Sequence, residues 1–288
     1  MRVVRALAPN PGPFTLEGTN TWIVGSPPSI VIDPGPDDPA HREAILGAAK
    51  EVGVILLTHQ HPDHAPGAAR LAAFTNAHIY AFRPEDGERP LRDRQSVVVG
   101  EAKLRAVHTP GHSSDHLAFW LEERAYLFTG DAVLGRGTSV VNPPDGDMIS
   151  YLASLRAMRQ LAPRVLYPGH GPIVFDGAAK LEEYVRHREL RERQVLKALE
   201  GRKATPAEMA PEIYGSEIPE SMFPAAERSL LAHLLKLERE GKVARTGPTG
   251  GGRFALVPPR KCERCGRRAA PGSRFCDIHA LAQLQEGL

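Results

Sequence analysis

A chain of 288 residues, 42% hydrophobic and 24% charged, has the make-up of a soluble globular protein. It is long enough for one large core or a main unit with a smaller companion, and disordered and membrane-embedded classes are disfavoured. The formal net charge is only +2, yet from Lys242 onward there are nine Lys or Arg against three Asp or Glu, so a basic end on a mildly acidic body suggests an anionic partner such as nucleic acid, or a solvated tail.

The opening residues lack the apolar run of a secretory leader, and no later stretch reaches the roughly 18 apolar residues of a membrane span, so a cytoplasmic, membrane-free protein is expected. Thr21 to Asp33 reads as a strand pair around the Gly25-Ser-Pro-Pro turn, with the second strand running into Asp33-Pro-Gly. His41 to Gly53 has helical spacing, and Val54-Ile-Leu-Leu is a buried strand ending at Thr58-His59. Further strands are predicted at His78 to Phe82, Ser96 to Val99, Lys103 to His108, Leu117 to Leu121, Ala125 to Thr129 and Val165 to Tyr167, with helices at Gly67 to Ala73 and Met148 to Leu161. Past Gly177 the grammar changes. Helices at Lys180 to Gly201, Thr205 to Tyr214 and Pro224 to Gly241 follow one another, and a β-hairpin from Lys242 to Val257 closes a winged-helix outline.

Thr58-His59-Gln60-His61-Pro62-Asp63-His64 packs four candidate metal ligands at the exit of a strand. Imidazole and carboxylate suit Zn²⁺, with Mn²⁺ or Fe as alternatives. His112 in Thr-Pro-Gly-His, Asp131 in Phe-Thr-Gly-Asp and His170 in Tyr-Pro-Gly-His recur in the same setting, each after an apolar strand and a glycine that lets backbone approach closely. Two ions about 3.5 to 4 Å apart can share a water, lower its pKa and present hydroxide to an acyl or phosphoryl centre. Asp63 could orient that hydroxide as well as bind metal. His116 is a candidate for supporting or substrate contact, as is Arg136, which with Thr138 and Ser139 follows Asp131; a buried structural histidine and a surface loop are the plainer readings. His41, His78, His108, His187 and His233 read as core or surface residues.

These residues resemble the metallo-β-lactamase superfamily motif His-x-His-x-Asp-His followed by His, Asp and His, with Asp33 at the early Asp-x-Gly turn. The resemblance implies an α+β fold, an αββα sandwich over roughly the first 180 residues. It also implies one metal on His59, His61 and His112, a second on Asp63, His64 and His170, and Asp131 bridging. Asn10-Pro-Gly-Pro-Phe-Thr-Leu-Glu-Gly-Thr-Asn-Thr, Thr109-Pro-Gly-His-Ser-Ser-Asp-His and Gly130-Asp-Ala-Val-Leu-Gly-Arg-Gly-Thr look like the beta-lactamase-like protein 2 group. That group includes an endoribonuclease and fungal thioesterases, and carries a winged-helix-like C-terminal domain. The expected organisation is 1–178 catalytic, 179–258 winged-helix-like and 259–288 a zinc-binding tail.

In that tail Cys262-Glu-Arg-Cys265 and Cys276-Asp-Ile-His279 give two ligand pairs of the spacing used by a closed structural zinc knuckle. Three functions are carried forward. Hydrolysis of a thioester, lactone or related acyl ester, of small-molecule or carrier-linked substrates, is favoured because the chain lacks the large insert with which ribonucleases of the superfamily clamp RNA. An endoribonuclease acting on single-stranded RNA is the second, and a nucleic-acid-binding regulator the third. The sequence leaves the oligomeric state open.

Overall fold

The computed structural model describes residues 1–247, 252–258 and 265. Its first sheet starts with β1 (Val3–Leu7), β2 (Asn20–Val24) and β3 (Ser29–Ile32), paired antiparallel. Successive strand side chains point to opposite faces. Trp22, Val24, Ile30 and Ile32 therefore enter one core while Ile23 and Val31 enter another. Burial on both faces is why these strands read as unbroken apolar runs.

Next comes α1 (Pro39–Ala49), capped by the Asp38 carboxylate, which accepts from the His41 N–H, with Pro39 at its first position. Then β4 (Val52–Leu56), α2 (Gly67–Thr75), β5 (His78–Ala81) and β6 (Glu88–Pro90) extend the sheet in parallel from β3, giving the order β1 to β6. A second sheet is built from β7 (Ser96–Val99), β8 (Ala102–His108), β9 (Leu117–Leu121), β10 (Tyr126–Gly130) and β11 (Val165–Pro168), ordered β11-β10-β9-β8-β7.

The sheets meet through Trp22, Ile32 and Leu56 on one side and Leu104, Phe119 and Phe128 on the other. The first two helices cover the first sheet with Ile45 and Leu71 against Val31 and Ile55. On the other flank α3 (Met148–Gln160) and α4 (Gly177–Ala198) cover the second sheet with Leu152, Leu155 and Leu181 against Trp120 and Leu127. This is the expected αββα sandwich.

Past it, α5 (Pro206–Tyr214), α6 (Phe223–Arg239) and the hairpin β12 (Val243–Thr246) with β13 (Arg253–Leu256) share a separate core of Met209, Leu230, Leu234 and Phe254. Thr205 opens α5 with a capping box, its hydroxyl accepting from the Glu208 N–H while the Glu208 carboxylate accepts from the Thr205 N–H. The winged helix is thus present. Helix α4 belongs to both cores, through Leu181 and Val185 at one end and Val195 at the other.

Two differences from the sequence reading have physical causes. The first helix stops at Ala49 rather than Gly53, because Lys50 turns to φ 63° and Val52-Gly53-Val54 pairs in the sheet. The strands β1 and β6 carry Arg5, Glu88 and Pro90, and as edge strands they are held by pairing rather than by an apolar pattern. Cys262, Cys276 and His279 lie outside the described residues. Among the described residues, no helix is long and apolar enough to cross a membrane.

Candidate metal centre

The strand ends deliver the site. Asp33 follows β3, the segment from His59 to His64 follows β4, His112 lies beyond β8, Asp131 follows β10 and His170 follows β11. The donor atoms of His59, His61 and His112 lie within 4.8 Å of one another, and so do those of Asp63, His64, Asp131 and His170. All the residues singled out as ligands in the body of the sequence are therefore brought together in two groups, with Asp131, expected as a bridge, falling in the second.

Hydrogen bonds on the outer side of the rings decide which nitrogen faces inward. The Thr58 hydroxyl donates to Asp33 Oδ2 at 2.7 Å and so accepts from His59 Nδ1 at 2.9 Å. His64 Nδ1 donates to Asp33 Oδ2 at 2.9 Å, His112 Nδ1 to the Val140 carbonyl at 2.9 Å and His170 Nδ1 to the Gly18 carbonyl at 3.2 Å. Each of these rings carries its proton on Nδ1 and turns the Nε2 lone pair toward the centre, the tautomer a metal ligand needs. Asn20 steadies the last loop, its amide donating to the Pro168 and Gly171 carbonyls at 2.9 Å each.

The donor set fits divalent cations. His59 Nε2 is buried without a hydrogen-bond partner. Nε2 of His64 and of His170 are 3.2 Å apart, and Nε2 of His112 is 3.0 Å from Nδ1 of His61. Lone pairs aimed at one another repel unless positive charge lies between them.

The electrostatics split in the same way. Burial, reinforced by His64 and His112, holds His59 well below the ordinary histidine range, and burial lowers His112. Burial would also lower His64, but Asp131 and Asp33 hold it well above its usual value; for His170, Asp131 and Asp63 overcome burial and raise it to about 9. Burial alone would raise Asp131, yet His170 and His64 keep it well below the usual carboxylate range. The carboxylate half of the site thus demands positive charge, which a divalent ion supplies in place of protons.

Two glycines permit the approach. A Cβ at Gly169 would lie 2.6 Å from Asp131 Oδ1, and one at Gly130, where φ is +45°, would lie 2.7 Å from both His116 Nε2 and Thr58 Oγ1.

His116 stands outside both donor groups. Its Nε2 accepts from the Asp131 N–H at 3.2 Å and its Nδ1 donates to Thr109 Oγ1 at 2.8 Å, so it positions the Asp131 backbone. Asp33 plays the corresponding part for Thr58 and His64. Arg136 lies on the cleft with its guanidinium 2.7 Å from Glu17 Oε1, and both side chains are largely exposed.

A cleft of about 570 Å³ opens from His61, Asp63, His112 and Asp131 toward the winged helix. Its wall contains Arg136, Thr138 and Ser139, raised from the sequence as possible cleft residues, and Arg188, given no role there. Ser139 Oγ is 3.1 Å from His112 Nδ1 and Arg188 on α4 donates to the Ser139 carbonyl, while Tyr184, buried outside that wall, accepts from the Leu134 N–H at 2.9 Å. The available signal was that Leu181, Tyr184, Val185, Arg188 and Arg191 share one face of α4, so the arginines fall on its buried side.

His187 lines the same cleft and is pushed down to about 4 by burial, then by Arg188 and Arg191. Its unfolded value is near 6.5, so below that pH the unfolded chain takes the proton first; the stabilisation is complete above about pH 6.5 and is lost as pH falls toward 4. Fully buried, such a group would be worth ~3 kcal/mol, and partial exposure reduces this to on the order of 1–2 kcal/mol. Urea unfolding should show His187→Gln losing that much less stability than the parent on acidification.

This donor set, opening on a substrate-sized cleft, defines a metal-dependent hydrolase. Residues 14–90 and 79–170 match the metallo-beta-lactamase superfamily, and residues 205–251 match the beta-lactamase associated winged helix domain. The chain is 40% identical over 266 residues to lactamase-like protein nscB of Aspergillus fumigatus, covering 84% of this chain and 79% of that one. It is 39% identical over 280 residues to lactamase-like protein adaB of Aspergillus niger, covering 89% and 87%. The chain belongs to the metallo-beta-lactamase superfamily. A solved metallo-beta-lactamase family protein from Thermus thermophilus is similar with TM-score 0.74 and 25% identity, over 88% of this chain and 98% of that one. A beta-lactamase domain protein from Burkholderia ambifaria, 23% identical, shares the fold with TM-score 0.76 over 89% and 91%.

Proposed function

We propose that this hydrolase acts on a thioester, lactone or related acyl ester, small-molecule or carrier-linked, as a member of the beta-lactamase-like protein 2 group. One zinc would be held by His59, His61 and His112 and another by Asp63, His64 and His170, with Asp131 shared between them; Mn²⁺ or Fe are alternatives. When bound, the two ions supply Lewis-acid chemistry, acidifying a water and neutralising charge on the attacked oxygen. Asp63, with its side chain 27% exposed and on the cleft, orients the attacking water. Its carboxylate stays ionised because His170 and His64 outweigh the effect of burial. His116, Asp33 and Thr58 hold the ligands so that little reorganisation is needed.

The observation that carries the acyl reading is the cleft. Its volume of about 570 Å³ and its apolar wall of Leu134, Ile218 and Met222 suit a small or medium substrate. The winged-helix unit supports the same choice over RNA. Lys236, Arg239, Lys242, Arg245 and Arg253 pair with Glu192, Asp147, Glu240, Glu238 and Glu208, respectively, which leaves their charge less available to phosphates. Stripping the metal with a chelator should abolish hydrolysis of a thioester and lactone panel, and Zn²⁺ should restore it. Cleavage of single-stranded RNA with no acyl hydrolysis would overturn the reading.

We also propose that Cys262, Cys265, Cys276 and His279 hold a structural zinc. Replacing Cys262 and Cys276 together by serine should remove about one zinc per chain while hydrolysis survives.

A further inference from the structure

We infer that the substrate of this hydrolase carries a carboxylate or phosphate that docks on Arg188 at the inner end of the cleft, an inference that rests on the acyl-hydrolase reading. Arg188 and Arg191 line the cleft from one face of α4, only 2% and 4% exposed. Nε of each has no hydrogen-bond partner, and neither has Nδ1 of His187; behind them on α6, both ring nitrogens of His233 are also without one. Arg191 is paired with Glu217. Arg188 is not: among the described residues no ion pair reaches it, and it touches the Ser139 carbonyl and Tyr151, with which it shares a side-chain hydrogen bond and whose ring centroid is 5.2 Å from its Cζ.

A buried guanidinium without a counter-charge is costly, and its planar fork suits two parallel bonds to a carboxylate or phosphate. Burial and the two arginines keep His187 from competing for an anion, since it stays neutral down to about pH 4. Ser139 fixes the spacing. Its carbonyl accepts from Arg188 while its hydroxyl lies 3.1 Å from His112 Nδ1, so the anion would sit a short spacer away from the bond being cleaved.

The competing role for Arg188 is propping the Ser139 loop, and through it His112. Propping affects every substrate alike, whereas anion recognition changes the ratio between charged and neutral ones. The test uses full-length, metal-loaded protein and paired thioesters. One pair differs by a terminal carboxylate on the acyl chain and the other by a terminal phosphate on the thiol arm, which distinguishes the two sources of the anion. In at least one pair the charged member should be favoured by roughly ten-fold or more in kcat/KM, chiefly through KM. Arg188→Met should bring that ratio near unity, with Arg188→Lys between.

A ratio near unity for the parent in both pairs, or one unchanged in Arg188→Met, would overturn the inference. If Arg188→Met does not fold, the parent and Arg188→Lys decide by the same ratio. If no thioester is hydrolysed, the acyl reading fails separately, and calorimetric binding of inorganic phosphate and of glutarate decides. A roughly ten-fold weaker affinity for either anion in Arg188→Lys supports the subsite, and equal affinities overturn it.

Discussion

Asp131→Ala is expected to lower kcat by ~100- to 1,000-fold while leaving the fold intact, the loss seen when a preorganised charge at a reacting centre is removed. Asp131 Oδ1 is 3.3 Å from both His64 Nε2 and His170 Nε2, and Oδ2 is 3.8 Å from His112 Nε2, so one carboxylate reaches both donor groups. Without it, neighbouring imidazoles and two divalent ions face one another with less intervening negative charge. Asp131→Asn keeps the shape and removes the charge, and should fall nearly as far. Steady-state kinetics, metal analysis and circular dichroism on the same samples check this. Unchanged activity and metal content would remove the shared-carboxylate assignment.

Asp33→Ala should weaken metal binding by roughly 10- to 100-fold, although Asp33 belongs to neither donor group. Its carboxylate accepts from the Thr58 N–H and hydroxyl, each at 2.7 Å, and from His64 Nδ1 at 2.9 Å. Removal leaves those buried donors unpaired, at about 3–5 kcal/mol of stability. The backbone separates charge from strain. Asp33 has φ 50°, which asparagine adopts at lower cost than alanine, so Asp33→Asn should lose metal affinity with a smaller loss of stability. Chelator competition reads the first quantity and urea unfolding the second.

The ligands were legible because each follows a strand and binding chemistry restricts them to histidine and aspartate at short spacing. The αββα layers were implied by the resemblance, and Trp22-Ile-Val and Ile30-Val-Ile, too apolar for a strand with one wet face, agree with them. What the sequence concealed depends on contacts across long separations. Arg188 shares a face of the charged helix with Leu181, Tyr184 and Val185, but only the packing of α4 against the loop carrying Ser139 shows that its head group is buried as well. His116 read as a candidate for supporting or for substrate contact, and its supporting contact with the Asp131 N–H forms only once β9 and β10 are side by side.

Anomalous diffraction from crystals of zinc-reconstituted full-length protein, recorded on both sides of the zinc edge, tests the central claim most directly. Two peaks are expected in the body of the protein, one coordinated by His59, His61 and His112 and the other by Asp63, His64 and His170, with Asp131 touching both. A single peak, or none among these residues after full reconstitution, would contradict a two-metal centre.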